Sequence, residues 1–266
     1  MNPYTHLPRV PILAGRQALI LDRCQGKKVL HLGCVDADLV QTRFERGELM
    51  HQKLNQVADQ LWGIDIDVAG ISFLQDQGFA NLQVGDICKM EGLSVLQQQA
   101  FEVIVASEVV EHLQNPGLFL SRARELMAPD RTELIITVPN AFRIDTLLWL
   151  LRGVELVHPD HNYWFSYVTA SNLVRKSGLT ITELYVYTLQ PSGLLPRRGR
   201  PAHSSSGPTG PCAAGHRDHT DFTLLRRVPA YLKSVPKRLL AAFLYGRTPF
   251  WGDGLILVTK VAANDA

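Results

Sequence analysis

The feature that most constrains this chain is a regular alternation of short apolar runs with helical stretches. Val29–Leu32, then 61–66 (LWGIDI), 81–84 (NLQV), 101–106 (FEVIVA) and 133–139 (ELIITVP) are short and β-branched or apolar, and all but 101–106 end at or directly before Gly, Asp or Pro. Runs of this length buried on both faces read as parallel strands. Between them lie helical patterns: 12–25, a stretch in which Leu49, Leu54, Val57 and Leu61 share a face, 71–78 closed by Gly78, and a helix opened by Pro116 and stopped near Pro129. Strand–helix alternation with crossovers of one hand gives an α/β, doubly wound sheet.

Beyond the fifth strand, 145–153 reads as an apolar helical turn of the kind that covers a pocket, 166–178 as a helix, 179–189 as a β-branched strand and 254–261 as the last strand. We therefore expect a single domain over 1–266, a Rossmann-like sheet of seven strands, mostly parallel with an antiparallel last strand, and an insertion at 190–253. Residues 191–220 are rich in Pro, Gly, Ser and Arg and are expected to be mobile. From Arg226 to Arg247 the pattern is amphipathic, split by Pro229 and Pro236 into two short helices.

Composition narrows the function classes. At 46% hydrophobic and 20% charged the chain is too apolar for general disorder. Cys24, Cys34, Cys88 and Cys212 show no C-x-x-C spacing, which argues against a zinc knuckle or disulfide framework. No signal peptide and no run of about 20 apolar residues is present, so a cytoplasmic location is expected. Residues 188–253 hold ten Lys and Arg against three Asp and Glu, leaving seventeen against twenty-two elsewhere. That basic patch suggests an anionic partner, with peripheral membrane contact through 226–247 as one form of it and a lid helix packed on its own domain as the other. No aromatic-interleaved basic groove for nucleic acid is evident.

The strand ends carry the chemistry. Gly33, directly after the first strand, lets a ligand approach the backbone. Asp65 ends the second strand, where a carboxylate accepts ribose hydroxyls, whereas Asp67 reads as a helix cap. Asp86 ends the third, placed to accept from an adenine amino group while the N–H of Ile87 reaches the ring. Three acidic or glycine strand ends in this order resemble those of the class I S-adenosylmethionine-dependent methyltransferases, over about 12–187 and again at 254–261. The resemblance implies S-adenosyl-L-methionine held by Gly33, Cys34, Asp36, Asp65, Ile66, Asp86, Ile87 and Ser107. Two departures stand out: His31 replaces the family's acidic residue at the end of the first strand, and Gly33-Cys34-Val35-Asp36-Ala37 keeps one of the usual three glycines. Asp36 or Asp38 is expected to supply the missing carboxylate.

The segment after the fourth strand reads E-V-V-E-H. One helical turn would bring Glu108, Glu111 and His112 to a common face, an incomplete set for Mg²⁺ or Mn²⁺. Paired with the later H-P-D-H-N-Y-W-F, it resembles the ubiquinone-pathway catechol O-methyltransferases and the small-RNA 3′-end 2′-O-methyltransferases. That resemblance implies metal ligands Glu108, Glu111, His112 and His161. In the absence of metal, His158 or His161 is the natural general base. The expected function is O-methylation of a hydroxyl on a sugar, glycan precursor or phenolic small molecule. The rival classes are a non-catalytic S-adenosylmethionine-binding protein, suggested by the altered glycine loop, and a nicotinamide oxidoreductase, disfavoured by Asp86 and E-x-x-E-H.

Overall fold

The computed structural model describes residues 4–89, 94–189 and 248–263. The expected insertion at 190–253, its 191–220 segment and the amphipathic 226–247 stretch lie largely or wholly outside those residues. Within them the chain forms strands β1 (Ile12–Ala14), β2 (Lys28–Leu32), β3 (Gln60–Asp65), β4 (Leu82–Val84), β5 (Val103–Ser107), β6 (Glu133–Pro139), β7 (Leu179–Thr188) and β8 (Gly254–Val261). They build one sheet in the order β1-β7-β8-β6-β5-β2-β3-β4. All pairings are parallel except those of β8, which runs antiparallel to both β6 and β7.

The expected seven strands are all present, and β1 adds a short eighth at the edge. The reading of 12–25 as one helix is corrected here. Ile12, Leu13 and Ala14 follow Pro11, pair in parallel with Val186–Thr188, and are cut off by Gly15, whose φ of +86° no other residue type adopts cheaply. The helix α1 is confined to Gln17–Cys24.

The other helices are α2 (Val40–Glu45), α3 (Met50–Val57), α4 (Val68–Asp76), α5 (Ser94–Gln97), α6 (Pro116–Glu125), α7 (Ile144–Leu150) and α8 (Tyr167–Lys176). Their starts follow local chemistry. Asp67 caps α4 by accepting from the Gly70 N–H at 3.1 Å, Asn115 caps α6 with Pro116 at its first position, and Ser166 with Thr169 closes a reciprocal box on α8.

Side chains alternate across the sheet and so create two cores. Leu30, Leu32, Ile104, Ile136 and Leu257 pack beneath α6 and α8, whereas Val29, Val103, Val105, Ile135 and Ile256 pack against α1 and α3. His31 lies on the second side, fully within the protein, with its ring stacked on His51 of α3 and Nδ1 to Nδ1 at 3.3 Å. Two glycines set up the neighbouring site. A Cβ on Gly254 would lie 2.3 Å from the Tyr187 ring, and one on Gly252 2.9 Å from the Tyr187 carbonyl, so only glycine leaves room for that tyrosine. The described residues contain no helix long and apolar enough to cross a membrane.

Candidate active site

The parallel strands deliver their C-terminal ends to one edge, and the predicted residues divide there into two groups. The first surrounds the ends of β2, β3 and β4. Gly33 has φ +69°, and a Cβ there would lie 2.5 Å from a Val109 methyl, so both backbone conformation and packing require glycine. Ala37 takes a positive φ of +33°, so one turn of the loop survives without its glycine. Asp65 is half-buried; Oδ2 accepts the Val35 N–H at 2.9 Å and Oδ1 the Asp67 N–H at 3.0 Å. Burial raises its pKa, and those N–H groups pull it back. Each oxygen keeps a second lone pair for a ligand hydroxyl. Ile66 beside it is 72% exposed, an apolar surface for a flat base. Asp86 Oδ1 accepts the Cys88 N–H at 2.9 Å, with Lys89 Nζ 3.7 Å from Oδ2.

Two sequence expectations need correction in this half. The Cys34 thiol is buried, and its pKa is raised, chiefly by burial, so its side chain is not a ligand contact. Asp36 is paired with Arg43 of α2 at 2.5 Å, and Asp38 is exposed, so neither stands in as a free carboxylate at the strand end. The Ile87 side chain belongs to the core, which is compatible with the contact expected of its main-chain N–H.

The second group follows β5. Val110–His112 forms a 3-10 turn, not an α-helical one, and Glu108 precedes it with φ +58°. The three E-x-x-E-H side chains therefore do not share a face. Glu108 turns toward β6 and β7: its Oε1 accepts from Thr137 Oγ1 at 2.8 Å and from the Tyr187 hydroxyl at 3.0 Å. Arg16 Nε donates to Ser107 Oγ at 3.1 Å, and Ser107 lies 3.0 Å from Thr137 Oγ1. With Thr137 donating to Glu108, Ser107 must donate to Thr137, so the protons run in one direction from Arg16 to Glu108. Burial alone would lower the Arg16 pKa, but Glu108 and Tyr187 together raise it. Burial, then Glu108, holds the Tyr187 phenol well above its ordinary value.

Glu111 goes the other way. It is fully buried, and neither carboxylate oxygen has a hydrogen-bond partner among the described residues. Burial, with Glu108 adding, pushes its pKa up to about 8. His161 Nε2 lies 4.0 Å from Glu111 Oε1. Around it, His112, His158 and His161 each bring one ring nitrogen within 4.8 Å of the other two. Burial first, then His112 and His158, pushes His161 down to about 4; burial and His158 also lower His112. Both are therefore neutral near pH 7, with lone pairs to offer.

The loop that carries His158 and His161 is fastened to the turn. Glu111 O accepts the Asn162 N–H at 2.8 Å and the Tyr163 N–H at 3.2 Å; Asn162 Nδ2 donates to His112 O at 2.7 Å and the Tyr163 hydroxyl to Gln114 O at 3.0 Å. Glu108, His158, His161, Arg143 and Trp164 border a cleft of about 430 Å³ between this loop and the ends of β6 and β7. That volume holds a small metabolite.

Comparison with known proteins decides the family. The model of the family described as "Methyltransferase domain" (Methyltransf_23) matches residues 10–184, about two thirds of the chain. The chain belongs to the S-adenosylmethionine-dependent methyltransferase family. Among curated members, the ubiquinone biosynthesis O-methyltransferase of Nitrobacter winogradskyi is 26% identical over 192 residues, covering 67% of this chain and 66% of that protein. The protein of the same name from Azorhizobium caulinodans is 24% identical, covering 62% of each chain. This chain thus spans just under two thirds of the length of the curated relatives it matches. One chain of a solved complex containing the Haloferax volcanii Trm112 methyltransferase activator shares the fold, with a TM-score of 0.51 at 12% identity and 94% and 89% coverage.

The methyltransferase cofactor fits the first group: Asp65 has acceptor capacity in hand, Ile66 offers an apolar face, and Asp86 stands at the third strand end. Mg²⁺ does not fit the second. Glu108 is committed to two hydroxyls, and what converges is mainly imidazole nitrogen, whereas Mg²⁺ asks for oxygen in near-octahedral array. Arg16, Thr137, Arg143 and Tyr187 were invisible to motif reading. Arg16 and Tyr187 lie about 90 and 80 residues from Glu108 in sequence, and no local spacing links them.

Proposed function

We propose that this methyltransferase transfers its methyl group to oxygen, on a hydroxyl of a sugar, a glycan precursor or a phenolic small molecule. The observation that carries the reading is the cleft at the ends of β6 and β7, where His158 and His161 line the wall together with Glu108, the residue that follows β5. Support for oxygen also comes from the relatives, which are O-methyltransferases by name.

The bound cofactor supplies an electrophilic methyl group; the rest of the chemistry belongs to the chain. Asp65 and Asp86 fix the nucleoside, Ser107 and Glu108 close the site at its far end, and the histidine cluster receives the proton that the acceptor hydroxyl loses as it attacks. Leu156, Val157 and Trp164 line the cleft and exclude water from the acceptor. Holding the two reactants in line supplies roughly 7 to 11 kcal/mol of such a barrier. A positioned proton acceptor adds about 10²- to 10⁴-fold.

The test is methyl transfer from S-adenosylmethionine labelled in the methyl group to a panel of catechols, phenols and polyhydroxylated sugars. We expect an O-methyl product, with turnover falling at least about 100-fold in His161→Ala. S-adenosylhomocysteine bound tightly with no hydroxyl methylated, or the label recovered on nitrogen or carbon, would overturn the reading.

A further inference from the structure

The proposed function leaves one charged group of the cleft without a task. Arg143 stands at the junction of β6 and α7: its N–H donates to the Asn140 carbonyl at 3.2 Å, and its own carbonyl accepts the Leu147 N–H that opens the helix. The guanidinium is steadied at one point. Nε donates at 3.0 Å to Oγ1 of Thr146, a buried residue one turn further on. Among the described residues neither terminal nitrogen has a hydrogen bond, and no carboxylate oxygen lies within 4.0 Å of the group.

The carboxylates around it are engaged or turned elsewhere. Glu108 accepts from Thr137 and Tyr187, and Asp253 accepts the Leu189 N–H at 2.7 Å. Burial, then Asp253, raises the pKa of Asp145 and Arg143 pulls it back, yet Asp145 makes no ion pair with the guanidinium. An arginine whose Nε is fixed and whose two terminal nitrogens are free presents an end-on fork. Such a fork matches the two oxygens of a carboxylate through parallel N–H···O bonds.

We propose that Arg143 is a specificity-determining residue of the cleft and binds a carboxylate of the acceptor, so that the molecule methylated is a hydroxy acid and not a neutral phenol or sugar. The carboxylate contact stands on the geometry; that a hydroxyl of the same acid receives the methyl group rests on the reading above. The lining of the cleft selects this anion. Arg143 is the one Lys or Arg among the described residues that border it. A phosphate monoester carries about 1.5 to 2 charges near pH 7 and three acceptor oxygens, which call for several donors. A single fork suits the one charge and two oxygens of a carboxylate. Leu156, Val157, Pro159 and Trp164 offer an apolar wall for the body of the acid. Reach is also right. His158 and His161 line the same cleft of about 430 Å³, and after burial and the two neighbouring imidazoles Arg143 is the next group to push the His161 pKa down. Fork and imidazoles thus lie within the span of one small molecule.

The experiment is calorimetric titration of the full chain, loaded with S-adenosylhomocysteine, with two matched pairs: protocatechuate against its methyl ester, and glucuronate against glucose. We expect the acid of at least one pair to bind at least about tenfold more tightly than its neutral partner, as a charge-assisted pair gives. Arg143→Met keeps an apolar stem and removes the fork; it should bring that ratio to about one, with S-adenosylhomocysteine affinity as in the parent chain reporting a folded protein. Arg143→Lys, a point charge without the fork, should keep part of the preference, and Thr146→Val, which releases Nε, should lower it a few-fold. Should Arg143→Met fail to fold, these two variants carry the comparison, and an unchanged ratio in both would overturn the inference. Neutral partners bound as tightly as the acids in both pairs, an acid preference that survives Arg143→Met, or a hydroxyphenyl phosphate bound more tightly than protocatechuate would overturn it too. Labelled methyl transfer on the same preparations separates the two ideas. O-methylation of neutral partners as readily as of acids sinks the carboxylate assignment alone, and an acid preference with the label recovered on nitrogen or carbon sinks the proposed function alone.

Discussion

The two halves of the ligand edge are built on opposite principles. Around β2, β3 and β4 the polar groups are engaged by the protein: Asp65 accepts two backbone N–H groups, Asp86 accepts one, Asp36 has Arg43, and Asp67 caps α4. Around the turn after β5, Glu111 has no hydrogen-bond partner among the described residues and three imidazoles face each other. The first half is a preformed frame to which a ligand adds hydrogen bonds. The second sets a buried carboxyl that no hydrogen bond of the described residues satisfies beside a cluster of imidazoles.

That contrast can be broken by mutation. The largest effect should come from Gly33→Ala, which forces a side chain into φ +69° and against Val109. Strain and overpacking together should lower stability by about 2 to 5 kcal/mol, read from urea unfolding, and abolish cofactor binding. Next, Asp65→Ala removes acceptors for ligand hydroxyls worth roughly 1.5 to 3 kcal/mol each, so S-adenosylhomocysteine affinity should fall by at least about tenfold. Equal affinity in that variant would show that the frame does not bind the nucleoside.

The buried pair beneath the frame gives a pH signature. Burial holds His51 at about 4 and His31 well below its ordinary value, so both folded pKa values lie under the unfolded 6.5. Above pH 6.5 both states are neutral and nothing is lost; as pH falls below it, the unfolded chain takes up protons that the folded chain refuses. Stability should decline from pH 6.5 down to about 4, by about 3 kcal/mol for His51 alone. The double variant His31→Leu/His51→Leu should lose that part of the slope in acid unfolding curves. The smallest effect concerns the open half: burial pushes the Glu111 carboxyl up from 4.5 to about 8, so near pH 7 folding must keep it protonated, and Glu111→Gln, which removes that cost, should stabilise the protein by about 1 to 2 kcal/mol at pH 7, a gain in melting temperature that disappears below about pH 4.5.

The fold was legible because strand periodicity and strand-end residues are local. β2 through β8 fall within a residue or two of their expected places, and Asp65, Asp86 and Gly33 are where the spacing put them. The first strand was hidden because Ile12–Ala14 has no pattern of its own and is ordered by pairing with Val186–Thr188. The acceptor half was only partly legible. E-x-x-E-H advertises three ligands at helical spacing, but a left-handed Glu108 and a 3-10 turn send the two carboxylates to opposite sides. What recruits His158 is a set of long-range hydrogen bonds from Asn162 and Tyr163, which no one-dimensional spacing encodes.

The claim that the two halves divide the work is tested most directly by calorimetric titration of S-adenosylhomocysteine into Asp65→Ala and His161→Ala, with methyl transfer measured on the same preparations. The account predicts that both variants lose turnover, while only Asp65→Ala loses cofactor affinity and His161→Ala binds it as the parent chain does. Matching losses of affinity in the two variants, or full turnover in His161→Ala, would contradict it.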